Sequence, residues 1–426
     1  MLRTSLDDVM PGMRLALPVF HPNAAGRVLL RAGFELEART IGRLADLGVR
    51  ALWIAYPQLS FLLKHASPEV TRHRASLSSQ VAFLFDQLRE RSDAAFEYTK
   101  YARSVAGLAE ALVADPDAAL FVDRLSRVSE HEFEHASTVG FLSTLMGLKL
   151  IPYLEHQRTR VRPAKARDVV PLGVAGMLHD IGMTRLREED RAAFRREPDP
   201  SDETYRSHVE LGHRMVRGRV PATVAAAVLH HHQRCDGTGF PARQMADGRT
   251  EPIAGDRIHV YARIIAVADV FDRLTRDDEG GERPRVRALA GLLEQTNAGK
   301  FDRMAFCALL AVCPPYPPGT MVTLSDGVRG VVVGWNDADP CRPRVQPFDP
   351  LDPEKSVDRP VVDLSASRGI CVAVADGADV GRENFYPSRP TEFMLDVANR
   401  RLHNAAETER ARAGEAGRRG GLRDAG

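Results

Sequence analysis

The stretch VVPLGVAGMLHDIGM, Val169 to Met183, is apolar almost all round a helix until it closes on His179 and Asp180. A helix apolar on every side is a buried helix. A buried carboxylate must be paired, hydrogen-bonded or bound to metal. The same demand recurs at Asp269 in RIIAVADVFDRLT, again a carboxylate inside an apolar helix. Whatever this chain folds into has to supply partners for two interior acids.

Histidines on separate helices are the available partners. His131 and His135 in HEFEHAS are four apart and share one helix face. His208 lies in YRSHVELGH, and three adjacent histidines, His230, His231 and His232, open LHHHQRCDGTGFP. Taken singly, each signal is weak. A lone helical histidine is more often a satisfied core or surface residue, and His213 and His230 are left in that class. His21, beside Pro22 in a turn, is incidental. The dipeptide HD is common, and a buried Asp can simply bond a helix terminus. The combination changes the balance, because one divalent metal pair would satisfy most of these groups at once. Imidazole and carboxylate without thiolate suit Fe or Mn, with Zn, Co or Ni as alternatives, rather than Ca or Mg. Two ions roughly 3.5–4 Å apart clamp a hydroxide and a phosphoryl oxygen, which points to phosphoester hydrolysis. Asp180 is the carboxylate placed to span both ions. No G-x-S-x-G elbow, P-loop lysine or GxGxxG element competes for the chemistry, and SDGVRG at 325–330 reads as a hairpin turn.

The rest of the chain is organised around this stretch. With 426 residues it exceeds one ordinary core. The expected fold is multidomain and mainly α. Residues 1–57 read as an α+β module and 58–114 as a helical linker, a connector or a dimer arm. Residues 115–313 read as an all-helical domain, 317–388 as a small β-barrel or sandwich, and 389–426 as a helix followed by a disordered Gly/Arg tail. Lys+Arg 58 against Asp+Glu 57 gives no charge bias toward DNA or an acidic membrane. The five cysteines are scattered, with no C-x-x-C pair, and read as free thiols. There is no apolar run of about 20 residues, and the start, MLRTSLDDVMPGM, carries acids. A cytoplasmic location is expected.

In order, a lone His, HD-x-G, His, HH-x-x-x-DG-x-G-F-P and A-D-x-x-D resemble the HD-GYP family, a helical branch of the HD metal-dependent phosphohydrolases. The resemblance covers about 120–313. It implies hydrolysis of cyclic di-GMP to linear pGpG or GMP, and a metal ligand set of His135, His179, Asp180, His208, His231, His232 and Asp269. His131 is a possible extra ligand, standing where members with a third metal carry Glu. The loop Asp236, Gly237, Gly239, Phe240 and Pro241 would shape the substrate pocket and offer a surface for diguanylate cyclase (GGDEF) domains. His179 and Asp180 would be catalytic, and Arg283 in RPR would hold a substrate phosphate. GKFD at 299–302 resembles the family's closing turn. Three departures stand out: Met183 for a customary Lys, Gln233 for Glu and Phe240 for Tyr. Met183 supports a second reading, a weakly catalytic receptor or scaffold, with homodimerisation open. A third reading is an HD hydrolase for another nucleotide.

Overall fold

The computed structural model describes residues 1–21, 27–49, 51–90, 96–116, 131–196, 198–276, 283–352, 359–400 and 402. The Asn/Gly turn expected near 22–26, the acidic insertion DDEGGE and the Gly/Arg tail lie outside the described residues.

The Val170–Leu178 helix, apolar on all sides, is buried as its sequence demands. It packs between the helices His131–Lys149, Tyr98–Ala114 and Ala222–His230. The Val260–Leu274 helix lies against His131–Lys149 and Ala222–His230, and Arg303–Val312 closes the bundle. Helix packing of this kind converts scattered sequence positions into one interior face. No single helix among the described residues is long and apolar enough to cross a membrane.

Within the stretch 58–114, the helices from 68 to 90 and from 98 to 114 belong to this body. These helices, Pro68–Glu90 and Tyr98–Ala114, pack on each other and on His131–Lys149, with Val81, Leu84 and Leu88 in the main core. Apolar residues at helical spacing show that a face is covered, not by what. Here the cover is the same chain. Arg74 is drawn in as well, its guanidinium 4.4 Å from the Phe141 ring centre and donating to Thr138 Oγ1 at 3.2 Å.

The N-terminal module pairs β1 (Leu2–Ser5) with β4 (Ala51–Ile54) and β2 (Val19–Phe20) with β3 (Val28–Leu30), around the helix Ala38–Asp46. A short hairpin, β5 (Arg243–Gln244) and β6 (Thr250–Glu251), follows the triple-histidine segment. The C-terminal β unit is a six-stranded antiparallel sheet. Its strands are β7 (Met321–Leu324), β8 (Arg329–Gly334), β9 (Arg344–Pro347), β10 (Val362–Asp363), β11 (Val372–Ala375) and β12 (Ala378–Asp379), in the order β10-β9-β8-β7-β11-β12. Of SDGVRG, residues 325–328 make the turn between β7 and β8, and Arg329 and Gly330 open β8. Asp376 and Gly377, both at positive φ, close β11 on β12, the backbone that a tight hairpin requires. Val331 of this sheet and Phe348, just after β9, share an apolar cluster with Leu2, Trp53, Leu59 and Leu62. The two β modules, from opposite ends of the chain, thus pack together. The expected helix from 390 is helical from 395 to 400, with Phe393 and Leu395 docked on the main core.

Candidate metal centre

Four imidazoles meet where the helices converge. His135 lies one turn into His131–Lys149, and His179 follows the last residue of Val170–Leu178. His208 is central in Glu203–Val216, a helix started by Asp202, whose carboxylate accepts the N–H groups of Thr204 and Tyr205. His231 follows Ala222–His230. His131 opens its helix, but its side chain lies outside the described residues.

Each ring is held by its Nδ1. His179 Nδ1–H donates to Gly176 O at 2.7 Å and His231 Nδ1–H to Val228 O at 2.8 Å. His208 Nδ1–H donates to Tyr205 O. His135 Nδ1–H donates to the buried carboxylate of Asp272 at 2.7 Å. A nitrogen committed as donor leaves the other as a lone pair, the tautomer a metal ligand needs. All four therefore turn Nε2 toward the interior, around Asp180 and Asp269.

The donors sort into two groups. In the first, Asp269 Oδ1 lies 2.9 Å from His135 Nε2 and 3.7 Å from His179 Nε2. The second comprises Asp180, His208, His231 and His232, and within each group the ligand atoms lie within 4.8 Å of one another. Asp180 faces both. Its Oδ2 is 3.3 Å from His179 Nε2 and 3.7 Å from His135 Nε2, while its Oδ1 is 3.3 Å from His208 Nε2 and 3.4 Å from His231 Nε2. That Oδ1 is buried and accepts no hydrogen bond. An orphaned interior carboxylate oxygen ringed by imidazole lone pairs fits a divalent ion, with Asp180 shared between two.

The electrostatics favour a cation. Burial opposes ionisation of Asp180 and Asp269, yet His179 and Arg273 beside Asp180, and Arg273 and His135 beside Asp269, hold both carboxyls well below their usual range. Burial likewise opposes a charged His179, but Asp180 and Asp269 outweigh it and raise the imidazole to about 10. Burial takes His231 down to about 4 despite Asp180, and with the charges of His231 and His208 it holds His232 well below the ordinary value. The interior thus keeps its acids ionised, while burial disfavours charge on His231 and His232.

His232 sits at the rim, its Nδ1 4.0 Å from Asp269 Oδ2 and its Nε2 sharing a hydrogen bond with Tyr205 Oη at 3.3 Å. Phe240 stacks on its ring with centres 4.8 Å apart, which ties the glycine-rich loop to the centre. The loop is fixed from three sides. Cys235 N–H donates to Lys300 O of the GKFD turn at 2.8 Å, Gly255 N–H donates to Cys235 O at 3.0 Å, and Gln233 Nε2 donates to Pro241 O. A glutamate at 233 could not make that last bond while ionised. Asp236 builds the loop rather than binding inward, since it accepts Thr238 N at 2.9 Å and Thr238 Oγ1 at 2.7 Å. Gly237 takes φ +82, and a Cβ on Gly239 would stand 2.4–2.5 Å from backbone atoms of His232, Gln233 and Arg234.

Arg283 lies past the Val260–Leu274 helix, its N–H bonded to Thr275 O at 2.9 Å, whereas the arginine set on the central carboxylates is Arg273. Met183 is buried with Phe194, Tyr205, Val209 and Phe240, so it packs the wall behind the loop. Arg273 was missed from sequence, and Asp272 stood there only as the closing acid of A-D-x-x-D, with no role assigned. Their spacing of three and four from Asp269 was the available signal, but charges at such spacing usually mark a solvated face.

Residues 156–304 match the family model described as HD domain. The chain is 27% identical over 387 residues, 83% of this chain and 88% of the relative, to "Cyclic di-GMP phosphodiesterase PA4108" of Pseudomonas aeruginosa. It is 29% identical over 140 residues, 32% of this chain and 35% of the relative, to "Cyclic di-GMP phosphodiesterase response regulator RpfG" of Xanthomonas campestris pv. campestris. It is 29% identical over 148 residues, 33% of this chain and 29% of the relative, to "3'3'-cGAMP-specific phosphodiesterase 3" of Vibrio cholerae. A solved structure of Bd1817, a HDG"Y"P protein from Bdellovibrio bacteriovorus, covers 73% of this chain and 98% of its own at 16% identity, with a TM-score of 0.41.

Proposed function

We propose that this chain, a member of the HD-GYP branch of the HD-domain phosphohydrolases, is a metal-dependent phosphodiesterase that opens cyclic di-GMP to linear pGpG, with GMP as a possible further product. The observation that carries the reading is Asp180, whose two oxygens face separate sets of imidazoles. A bound divalent pair, Fe or Mn by donor type, supplies a low-pKa water and offsets charge on the phosphoryl oxygens. His135, His179 and Asp269 would hold one ion, and His208, His231 and His232 the other, with Asp180 common to both. The fixed Nδ1 hydrogen bonds orient these ligands before any ion arrives, which lowers the cost of assembling the site. Phe240, stacked on His232 and buried with Met183 and Tyr205, fixes the loop against the ligand set. The same loop is a candidate docking surface for a GGDEF domain.

The test is incubation of purified protein, reconstituted with Fe(II) or Mn(II), with cyclic di-GMP, 3'3'-cGAMP and a simple phosphodiester. Conversion of cyclic di-GMP to linear product ahead of the others is expected. Intact substrate alongside fully loaded metal would refute the reading. The second reading, a receptor with little turnover, is favoured by Met183. Its apolar surroundings mean that Met183→Lys would bury an ammonium among aromatic rings, so binding and turnover on the wild-type chain discriminate better than that substitution.

Within the triple histidine, His230 and His231 should separate cleanly. His231 is buried on Asp180, whereas burial and His213 lower the pKa of half-buried His230 away from the centre. His231→Ala is expected to lose metal and activity together, and His230→Ala to keep both within about twofold, a difference of ~0.4 kcal/mol. Elemental analysis with a rate assay reads the result, and equal losses would show the pair to be misassigned.

A further inference from the structure

Arg273 lies one turn after Asp269 on the Val260–Leu274 helix. Its Nε donates to Asp269 Oδ1 at 2.7 Å and its Nη2 to Asp180 Oδ2 at 2.8 Å. Those two oxygens are the ones aimed at His135 Nε2 and His179 Nε2. The guanidinium therefore sits on the oxygen atoms of one donor group. It donates no hydrogen bond to Asp180 Oδ1, the oxygen that faces His208 and His231. The two halves of the centre are chemically unequal. One is a set of lone pairs around a bare oxygen, and the other already carries a fixed positive charge.

We propose that Arg273 is a resident cation that competes with a metal ion for the His135–His179–Asp269 group, so that the centre binds one ion tightly and the second weakly. A guanidinium cannot be deprotonated, so its charge is present at every working pH. A carboxylate oxygen has two lone pairs and can serve a guanidinium and an ion together, but the two cations repel across the few ångströms between them. The opposite outcome is also physical. Were Arg273 only an orienting donor that holds the two carboxylates in place, its removal would loosen them and weaken metal binding. The arginine side chain is 26% exposed, against 1% for Asp269 and 11% for Asp180, so it has an open side toward which to yield. The weak second site makes loading responsive to metal supply.

This inference rests on the metal-centre reading but does not need turnover. The experiment is Mn(II) titration of the full chain, stripped with chelator, by calorimetry and by the manganese spin-resonance signal of coupled ions. The wild type is expected to show two classes of site. Arg273→Ala should tighten the weaker class at least about tenfold, leave the tight class unchanged, and bring the coupled-ion signal to lower Mn(II). Arg273→Gln, which keeps a donor but not the charge, should do the same and serves as the comparison should Arg273→Ala fail to fold. An unchanged or weakened second class in the folded variant, or two equal classes in the wild type, overturns the proposal. Such a result leaves the phosphodiesterase reading standing, whereas loaded protein inert toward cyclic di-GMP would overturn that reading and not this one.

Discussion

Asp180→Asn is expected to strip both ions and abolish hydrolysis together. The amide keeps nearly the same shape and one oxygen, so Arg273 can still donate to it. It cannot face both groups with anionic oxygens. Asp180 Oδ1 is 3.3 Å from His208 Nε2 and Oδ2 is 3.3 Å from His179 Nε2, so one substitution reaches both donor groups. The loss of activity should be at least about 100-fold, or ~2.7 kcal/mol of barrier, with metal content falling in parallel by elemental analysis. Removing carboxylate charge from a site that holds Arg273 leaves that guanidinium less well compensated, and breaking a buried pair typically costs ~3–5 kcal/mol. Circular dichroism and a melting curve must therefore accompany the assay. A folded Asp180→Asn chain that keeps both ions would remove the shared carboxylate from the account.

The second large effect lies at Gly182, in the turn after the His-Asp pair. A Cβ there would stand 1.9 Å from His208 O and 2.5 Å from Gly212 N. Both are backbone atoms of the Glu203–Val216 helix, so no side chain can swing away. Gly182→Ala must push the helix outward and carry His208 off Asp180. Overpacking of this kind costs about 3 kcal/mol or more, which for a domain of this size is a fall in Tm of roughly 6–12 °C. Metal uptake at the second group should fall with it. Gly42→Ala is the control, since nothing lies within 4 Å of its Cβ. Equal melting temperatures for the two variants would show that the approach is not tight.

The chemistry was more legible in the sequence than its surroundings. His179, Asp180 and Asp269 announced themselves because ionisable groups in apolar helices demand an interior partner, and local pattern carries that demand. The helices followed for the same reason. The turn at SDGVRG followed from residue types that tolerate tight backbone. Arg273 did not, because a charge one turn from an acid looks the same whether the pair faces water or a buried centre. Nor did the place of residues 68–114, since Val81, Leu84 and Leu88 state that a face is covered without naming the cover. These are long-range facts, fixed by packing between segments far apart in sequence.

The cluster that joins Leu2, Trp53, Leu59 and Leu62 to Val331 and Phe348 has a consequence for biosynthesis. Leu2, Trp53, Leu59 and Leu62 leave the ribosome before the sheet strands and cannot complete their apolar contacts until those strands emerge. At about 5–20 residues per second, that wait is tens of seconds. During it the nascent N-terminal module exposes surface that the finished protein covers. The helical body, built from the intervening segment, can assemble meanwhile, so the contact between the two β modules closes after it.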